Sequence, residues 1–221
     1  MKRRGRFITF EGLEGTGKST HCALVAARLR ESGLKVIETR EPGGTSLGET
    51  LRDLLQRASF EEDIAPEAEL LLFGAGRAQL VRSVIRPALA GGVWVLCDRF
   101  LDSTTAYQGY GRGMPLADVE SVHGVSVGST MPDMTILLDL PVRTGLARMR
   151  RRNAGRGQEP DRFEREEIAF HERVRRGYRE LARKHGRRFV MISAAGPVEE
   201  VAEQVWAAVW RRFRGEIGRR G

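Results

Sequence analysis

Short apolar runs alternate with longer amphipathic stretches along this chain, and the alternation predicts its elements. Phe7-Ile8-Thr9-Phe10 reads as a short buried strand. Leu34 to Thr39 reads as a second strand, Val93 to Cys97 as a third, Met134 to Asp139 as a fourth and Arg188 to Ile192 as a fifth. Val93-Trp94-Val95-Leu96-Cys97 is apolar without interruption, as a central parallel strand should be. Helical spacing fills the intervals. Lys18 to Arg30 places Cys22, Val25, Ala26 and Leu29 on one face, and Leu47 to Arg57 follows. Pro66 to Ala90 reads as one long helix broken near Pro87, with Leu70, Leu71, Phe73, Ala78, Leu80, Val81 and Val84 available for burial. Further helices are expected over Ser103–Gln108 (loosely), Leu116–Val127, Val142–Arg152, Arg162–Lys184 and Val198–Phe213. Gly109–Gly113 and the polar stretch Asn153–Pro160 read as loops. Strands alternating with helices imply a parallel sheet covered on both faces, an α/β fold of three layers.

Composition narrows this picture. A chain of 221 residues suits one well-buried domain, 1–221, with a small lid over about 148–162. No apolar run approaches the roughly 20 residues of a membrane span. The basic start Met1 to Arg6 lacks the apolar core of a signal peptide. Cys22 and Cys97 both fall in apolar patterns and read as reduced core residues, so a cytoplasmic protein is expected. Of 37 basic residues only Lys2, Lys18, Lys35 and Lys184 are lysine, and the net charge is +8. That balance invites a nucleic-acid partner. The surplus, however, clusters at 143–162 and 211–220 rather than along a groove-sized stripe. Arginine is also the preferred side chain for gripping small phosphates through paired hydrogen bonds.

The chemistry centres on Gly12-Leu13-Glu14-Gly15-Thr16-Gly17-Lys18-Ser19, which fits the phosphate-binding pattern G-x-x-x-x-G-K-[ST]. Its glycines let backbone N–H groups approach phosphate oxygens, Lys18 supplies a cation and Ser19 a hydroxyl for Mg²⁺. A strand precedes it and a helix follows, so the positive end of the helix dipole faces the anion. The fold expected is therefore of the P-loop NTPase type, with a five-stranded parallel sheet. Acids end two apolar strands, at Asp98 and Asp139. Asp98 is the preferred metal-site acid because Arg99 follows it. Asp139 reads equally as an acid at a helix start. The loop Arg40-Glu41-Pro42-Gly43-Gly44-Thr45 lies at a strand's carboxyl end, where open α/β sheets bind ligands. Arg40 and Arg99 then face one crevice and suit a dianionic monophosphate. Arg148, Arg150, Arg151, Arg152 and Arg156 surround the 153–160 loop, as a lid bringing cations to a transferring phosphoryl group requires. No N-K-x-D stretch supports a GTPase.

These stretches occur together with Thr39–Thr45, Phe73-x-x-x-Arg77, Asp98-Arg99-Phe100, Ser103-Thr104-Thr105-Ala106-Tyr107-Gln108-Gly109, Asp161-Arg162-Phe163-Glu164, Phe170-His171 and Gly177-Tyr178. In order and spacing the set resembles the bacterial thymidylate kinases over essentially the whole chain. The resemblance implies transfer of the γ-phosphoryl of ATP to dTMP, with Mg²⁺, in a homodimer. It implies that Phe73 stacks on thymine and Arg77 donates to a thymine carbonyl. Thr104 and Gln108 would contact the base or neighbouring groups, and Tyr107 would lie under the deoxyribose. Arg40 and Arg99 would hold the acceptor phosphate, and Asp98 would orient the metal and its waters. Some relatives carry an arginine where this chain has Gly15, so the catalytic arginine is expected from the lid: Arg152 or Arg156, then Arg148. Phe100 stands where many relatives have tyrosine or histidine. The expected partners are ATP and dTMP, with neither nucleic acid nor membrane. Another nucleoside monophosphate kinase, a deoxynucleoside kinase or a nucleic-acid-dependent ATPase remain the alternatives. Adenylate kinases usually carry Gly-x-Pro-Gly in the P-loop, which is absent here.

Overall fold

Five parallel strands form one sheet in the order β2-β3-β1-β4-β5. They are β1 (Phe7–Glu11), β2 (Val36–Arg40), β3 (Trp94–Asp98), β4 (Met134–Asp139) and β5 (Phe189–Ser193). The structure is a computed structural model that describes residues 4–56 and 60–218. Strand alternation sends side chains to opposite faces. Ile8, Phe10, Leu96, Ile136 and Leu138 meet α1 (Lys18–Glu31) and α9 (Val198–Ile217) on one face, where Val25, Leu29, Val205 and Val209 complete the core. Phe7, Val95 and Cys97 meet the helices of residues 80–101 on the other, and Leu137 meets α7 (Val142–Ala154) and α8 (Ile168–Lys184). The second face also holds a polar pair, Thr9 Oγ1 and Thr135 Oγ1 at 2.9 Å, which are register partners across β1 and β4. Cys22 and Cys97 are free and buried. Among the described residues no helix is long and apolar enough to cross a membrane.

Several boundaries differ from those predicted. The 66–90 helix is not broken at Pro87. It runs as α3 (Pro66–Leu80), a π-helical turn at Val81–Ile85 and α4 (Arg86–Ala90). Proline has no N–H to give and its ring crowds the carbonyl four residues back. One wide turn ahead of it absorbs that mismatch. Leu71 is not buried on this helix but 61% exposed. The predicted glycine loop after residue 108 is also partly helical: α5 (Leu101–Thr104) passes into a π-helical stretch over Thr105–Gly111. Packing overrides the local loop preference here, because Gly111 lets the Phe170 ring approach where a Cβ would lie 2.7 Å away.

The helix predicted from Arg162 begins only at Ile168. Asp161 Oδ1 accepts the backbone N–H groups of Phe163 and Glu164 at 2.9 and 2.8 Å, which fixes a turn in place of helix. Conversely, α7 runs to Ala154, two residues past the predicted end at Arg152, so Asn153 and Ala154 belong to the helix and not to the loop. The last helix extends past Phe213 to the buried Ile217, one further turn on the same face. The helix α2 is Ser46–Gln56 and α6 is Leu116–Ser126. The expectations for Arg57, Met1 to Arg3, and Arg219 and Arg220 lie outside the described residues.

Candidate active site

At the carboxyl end of the central strand β1 the chain turns through Gly12 (φ +138°), Gly15 (+72°) and Gly17 (+84°) before α1 begins. A Cβ on Gly15 would lie 2.2 Å from the carbonyl oxygen of Gly145 in α7, so the loop and that helix touch through two glycines. The first turn of α1 has neither a capping side chain nor an acidic residue. Its free N–H groups and dipole therefore remain available to an anion. Lys18 is buried, and its Nζ donates to the carbonyl of Leu13 at 2.7 Å. Burial, then repulsion from Arg99, lowers its pKa to about 8. Thr16 also donates to the Leu13 carbonyl, and the Leu13 side chain packs into the core. Ser19 donates its hydroxyl to Asp98, the last residue of β3. A hydroxyl and a carboxylate beside a phosphate cradle fit Mg²⁺, which takes few protein ligands and completes its shell with phosphate and water. Among the described residues no three His, Cys, Asp or Glu side chains cluster to hold a metal by themselves.

Arg99 follows Asp98 with φ +69°, a left-handed conformation unusual for a side chain of its size. Its guanidinium donates to Glu14 at 2.7 Å and to Ser103, Tyr107 and Tyr178 at 3.2 Å each. The Tyr107 hydroxyl donates to Glu14 at 2.6 Å. Burial pushes the Glu14 carboxyl up, but Arg99 and Lys18 outweigh it and hold its pKa below the ordinary value. His171 is fully buried with its Nδ1 3.8 Å from Glu14, and neither ring nitrogen has a partner. Beneath Arg99 the buried Glu11 accepts hydrogen bonds from the Phe100 N–H, Ser103 and Tyr178 at 2.8, 2.6 and 3.0 Å. Burial, then Asp102, raises its pKa to about 7. This carboxylate fixes the strained turn.

Two cavities meet at Arg99. The smaller is lined by Phe73, Arg77, Phe100, Thr104, Tyr107, Gln108 and Phe163 among others. Thr104, Tyr107 and Gln108 share it because residues three and four apart fall on one helix face. Arg77, 1% exposed, donates to Glu41 through Nε at 2.8 Å and to Thr104 at 2.8 Å. Its Nη1 is buried without a partner. Burial, against the opposing Arg77 charge, keeps the pKa of Glu41 raised. The larger contains Glu14, Gly15 and Gly17–Ser19 of the phosphate loop, with Arg40, Asp98, Arg148, Arg152 and Arg156. Arg99, Glu14, Glu41, Gln56 and Asp161 line both. Arg40 is half exposed and pairs with Glu49 at 2.8 Å. Arg148 is tied to the carbonyls of Ala194 and Ala195, and Arg152 to Glu164 and Asn153. Arg156 has no side-chain partner among the described residues.

Of the predicted site residues, all but Gly12, Leu13 and Thr16 line these two cavities. Asp139 does not: it accepts from Arg175 and Arg179 and anchors α8. Sequence reading overlooked Glu11, Glu69, Ser103 and Tyr178 as site groups. Glu69 carried a signal, since 69, 73 and 77 repeat at four residues and share a helix face.

A parallel sheet in this order, with a phosphate loop at the end of its central strand and an acid on the next, defines a P-loop kinase-type domain. The thymidylate kinase family model matches residues 10–205. The chain belongs to the thymidylate kinase family. It is 51% identical over 203 residues to the thymidylate kinase of Thermomicrobium roseum, covering 92% of this chain and 93% of that one. It is 47% identical over 208 residues to that of Trichlorobacter lovleyi, covering 94% and 98%. The crystal structure of thymidylate kinase from Ehrlichia chaffeensis superposes with a TM-score of 0.73 at 32% identity, covering 93% of this chain and 99% of that one.

Proposed function

We propose that the protein transfers the γ-phosphoryl group of ATP to dTMP, giving dTDP and ADP. The observation that carries this reading is Arg77, which lines a cavity that joins the phosphate crevice at Arg99 and whose Nη1 is buried with no hydrogen-bond partner among the described residues. A donor with no partner at the end of an aromatic slot suits a pyrimidine carbonyl, with Phe73 against the ring face. Thr104 holds the Arg77 fork, Gln108 completes the base edge, and Tyr107 closes the sugar's side. The acceptor is a phosphate already ionised at neutral pH, so no general base is required. Catalysis is then positioning and charge stabilisation. Arg40 and Arg99 aim the acceptor oxygen, Lys18 and the α1 N-terminus hold the donor phosphates, and Arg156 or Arg152 meets charge on the transferring group. Mg²⁺ would be held by Ser19 and Asp98 with the ATP phosphates, and would supply charge neutralisation there. Closure of the 155–165 segment over the crevice excludes water, which would otherwise hydrolyse ATP.

The same reading makes the protein a cytoplasmic homodimer acting on ATP and dTMP, without nucleic acid or membrane. Leu47, Leu71 and Val125, exposed by 45%, 61% and 88% on the adjacent helices α2, α3 and α6, support a second copy covering that face. A coupled ADP-release assay across the nucleoside monophosphates tests the function. dTMP should be the best substrate and dUMP a poorer one. Equal use of purine monophosphates defeats the thymine reading, and stimulation by DNA in place of dTMP defeats the kinase reading.

A further inference from the structure

Glu69 is a charged side chain at 0% exposure, and it lies outside the phosphate chemistry. It sits one turn before Phe73 and two before Arg77 on α3, behind the residues that line the cavity. Its Oε1 accepts from Nε2 of Gln108 at 2.6 Å. Arg112 reaches both of its oxygens at 3.4 Å, and Arg162 donates to Oε2. Arg162 in turn donates to the Leu55 carbonyl at 3.0 Å, and its guanidinium lies 4.6 Å from the centre of the Phe163 ring. One carboxylate thus ties α3, the π-helical stretch, the 161–164 turn and the end of α2. These segments supply half of the residues that line the smaller cavity.

We infer that Glu69 is a positioning residue that sets base selectivity by fixing the side-chain amide of Gln108. This rests on the proposal that the cavity takes thymine. A carboxylate facing two guanidinium groups has only acceptors to offer, so it must meet the NH₂ end of the amide. The carbonyl end, Oε1, is then left for the cavity that Gln108 lines. An amide turned over would bring two acceptors together beside Glu69, in a buried place where an unmet polar group is costly. The cavity therefore presents an acceptor from Gln108 and a donor from Arg77 Nη1. That pair matches a 4-oxo pyrimidine, which offers an N3–H donor and an O4 acceptor. Cytosine inverts both groups, with a bare N3 and an exocyclic amine. A site of fixed donors and acceptors rejects such an inverted edge far more strongly than it senses a methyl group.

Glu69→Gln tests the inference, because glutamine can present either end of its own amide and lets Gln108 turn over. The ratio of kcat/KM for dTMP to that for dCMP should fall by about tenfold or more, chiefly through KM, with the KM for ATP unchanged. A merely structural role would lower both activities together and leave the ratio in place. Gln108→Met, which leaves Glu69 and its arginines alone, should lower the ratio similarly, and the double variant should fall no further than the worse single one. If Glu69→Gln does not fold, an unchanged ratio in Gln108→Met overturns the inference. A selective wild type with an equally selective, folded Glu69→Gln also overturns it, and leaves the thymine reading intact. A wild type that used dTMP and dCMP alike would overturn both.

Discussion

Replacing Arg77 by methionine separates two jobs that one side chain performs. Its guanidinium lies 2.6 Å from Glu41, and the two side chains are 1% and 5% exposed. Removing one member of such a buried pair costs about 3–5 kcal/mol, because the remaining charge is stranded. In a chain of this size that lowers the melting temperature by roughly 6–20 °C. Glu41 already titrates above its ordinary value because burial outweighs its arginine. Without the arginine it rises further. A carboxyl raised in the folded state contributes stability below its unfolded pKa and loses it as pH climbs through the folded one. The deficit of Arg77→Met should therefore be small near pH 5 and largest above neutrality. Melts at both pH values measure it. The double variant Arg77→Met/Glu41→Leu removes both charges and should regain most of the lost stability. It should not regain function: loss of a charged donor to a base carbonyl costs about 1.5–3 kcal/mol, or roughly 10- to 150-fold in kcat/KM for dTMP. A double variant that returned to the wild-type KM for dTMP would show that Arg77 only holds the fold, and would refute the carbonyl contact.

Lys18→Ala should abolish turnover in a protein that still melts cooperatively; near-normal kcat would remove the phosphate loop from the mechanism. Because Lys18 titrates at about 8 in the free protein, ATP binding near pH 8.5 should take up protons as the phosphates restore its charge, seen as buffer-dependent heats in calorimetry. Arg99→Ala should lower kcat/KM for dTMP by about 2–5 kcal/mol while ATP binding persists, since it deletes a desolvated charge partner. Arg156, whose charge no side chain among the described residues pairs, should be the lid arginine that matters. Arg156→Ala is expected to cut kcat by about 10³-fold or more, against a smaller loss for Arg152→Ala, and the reverse order in steady-state kinetics would transfer the role.

The order of strands and helices was legible because short, largely apolar runs of four to six residues stand between amphipathic stretches. The phosphate loop was legible because glycine, lysine and serine at fixed spacing have few other uses. The errors have common physical causes. At Pro87 a helix absorbed a proline by widening one turn, and at Gly109 and Gly111 close packing against neighbouring side chains replaced a loop. At Asp161 one carboxylate outcompeted the helix that the following residues favoured. Buried acids were the least legible part of the site. Glu11, Glu41 and Glu69 look in sequence like ordinary polar positions, and only the fold shows which distant side chains meet them: Ser103 and Tyr178 at Glu11, Arg77 at Glu41, and Gln108, Arg112 and Arg162 at Glu69.

The glycine pair between the phosphate loop and α7 has a mechanical consequence. With no side chain at 15 or 145, the helix rests its first turns directly on the cradle and projects from it for about 14 Å before releasing the arginine-bearing loop. The two parts are in direct backbone contact, so the reach of the loop is measured from wherever the donor nucleotide is seated. An arginine planted at position 15 would wedge that joint open. Supplying the cation from the cradle and supplying it from the arm are therefore rival constructions, and the proposed mechanism uses the arm.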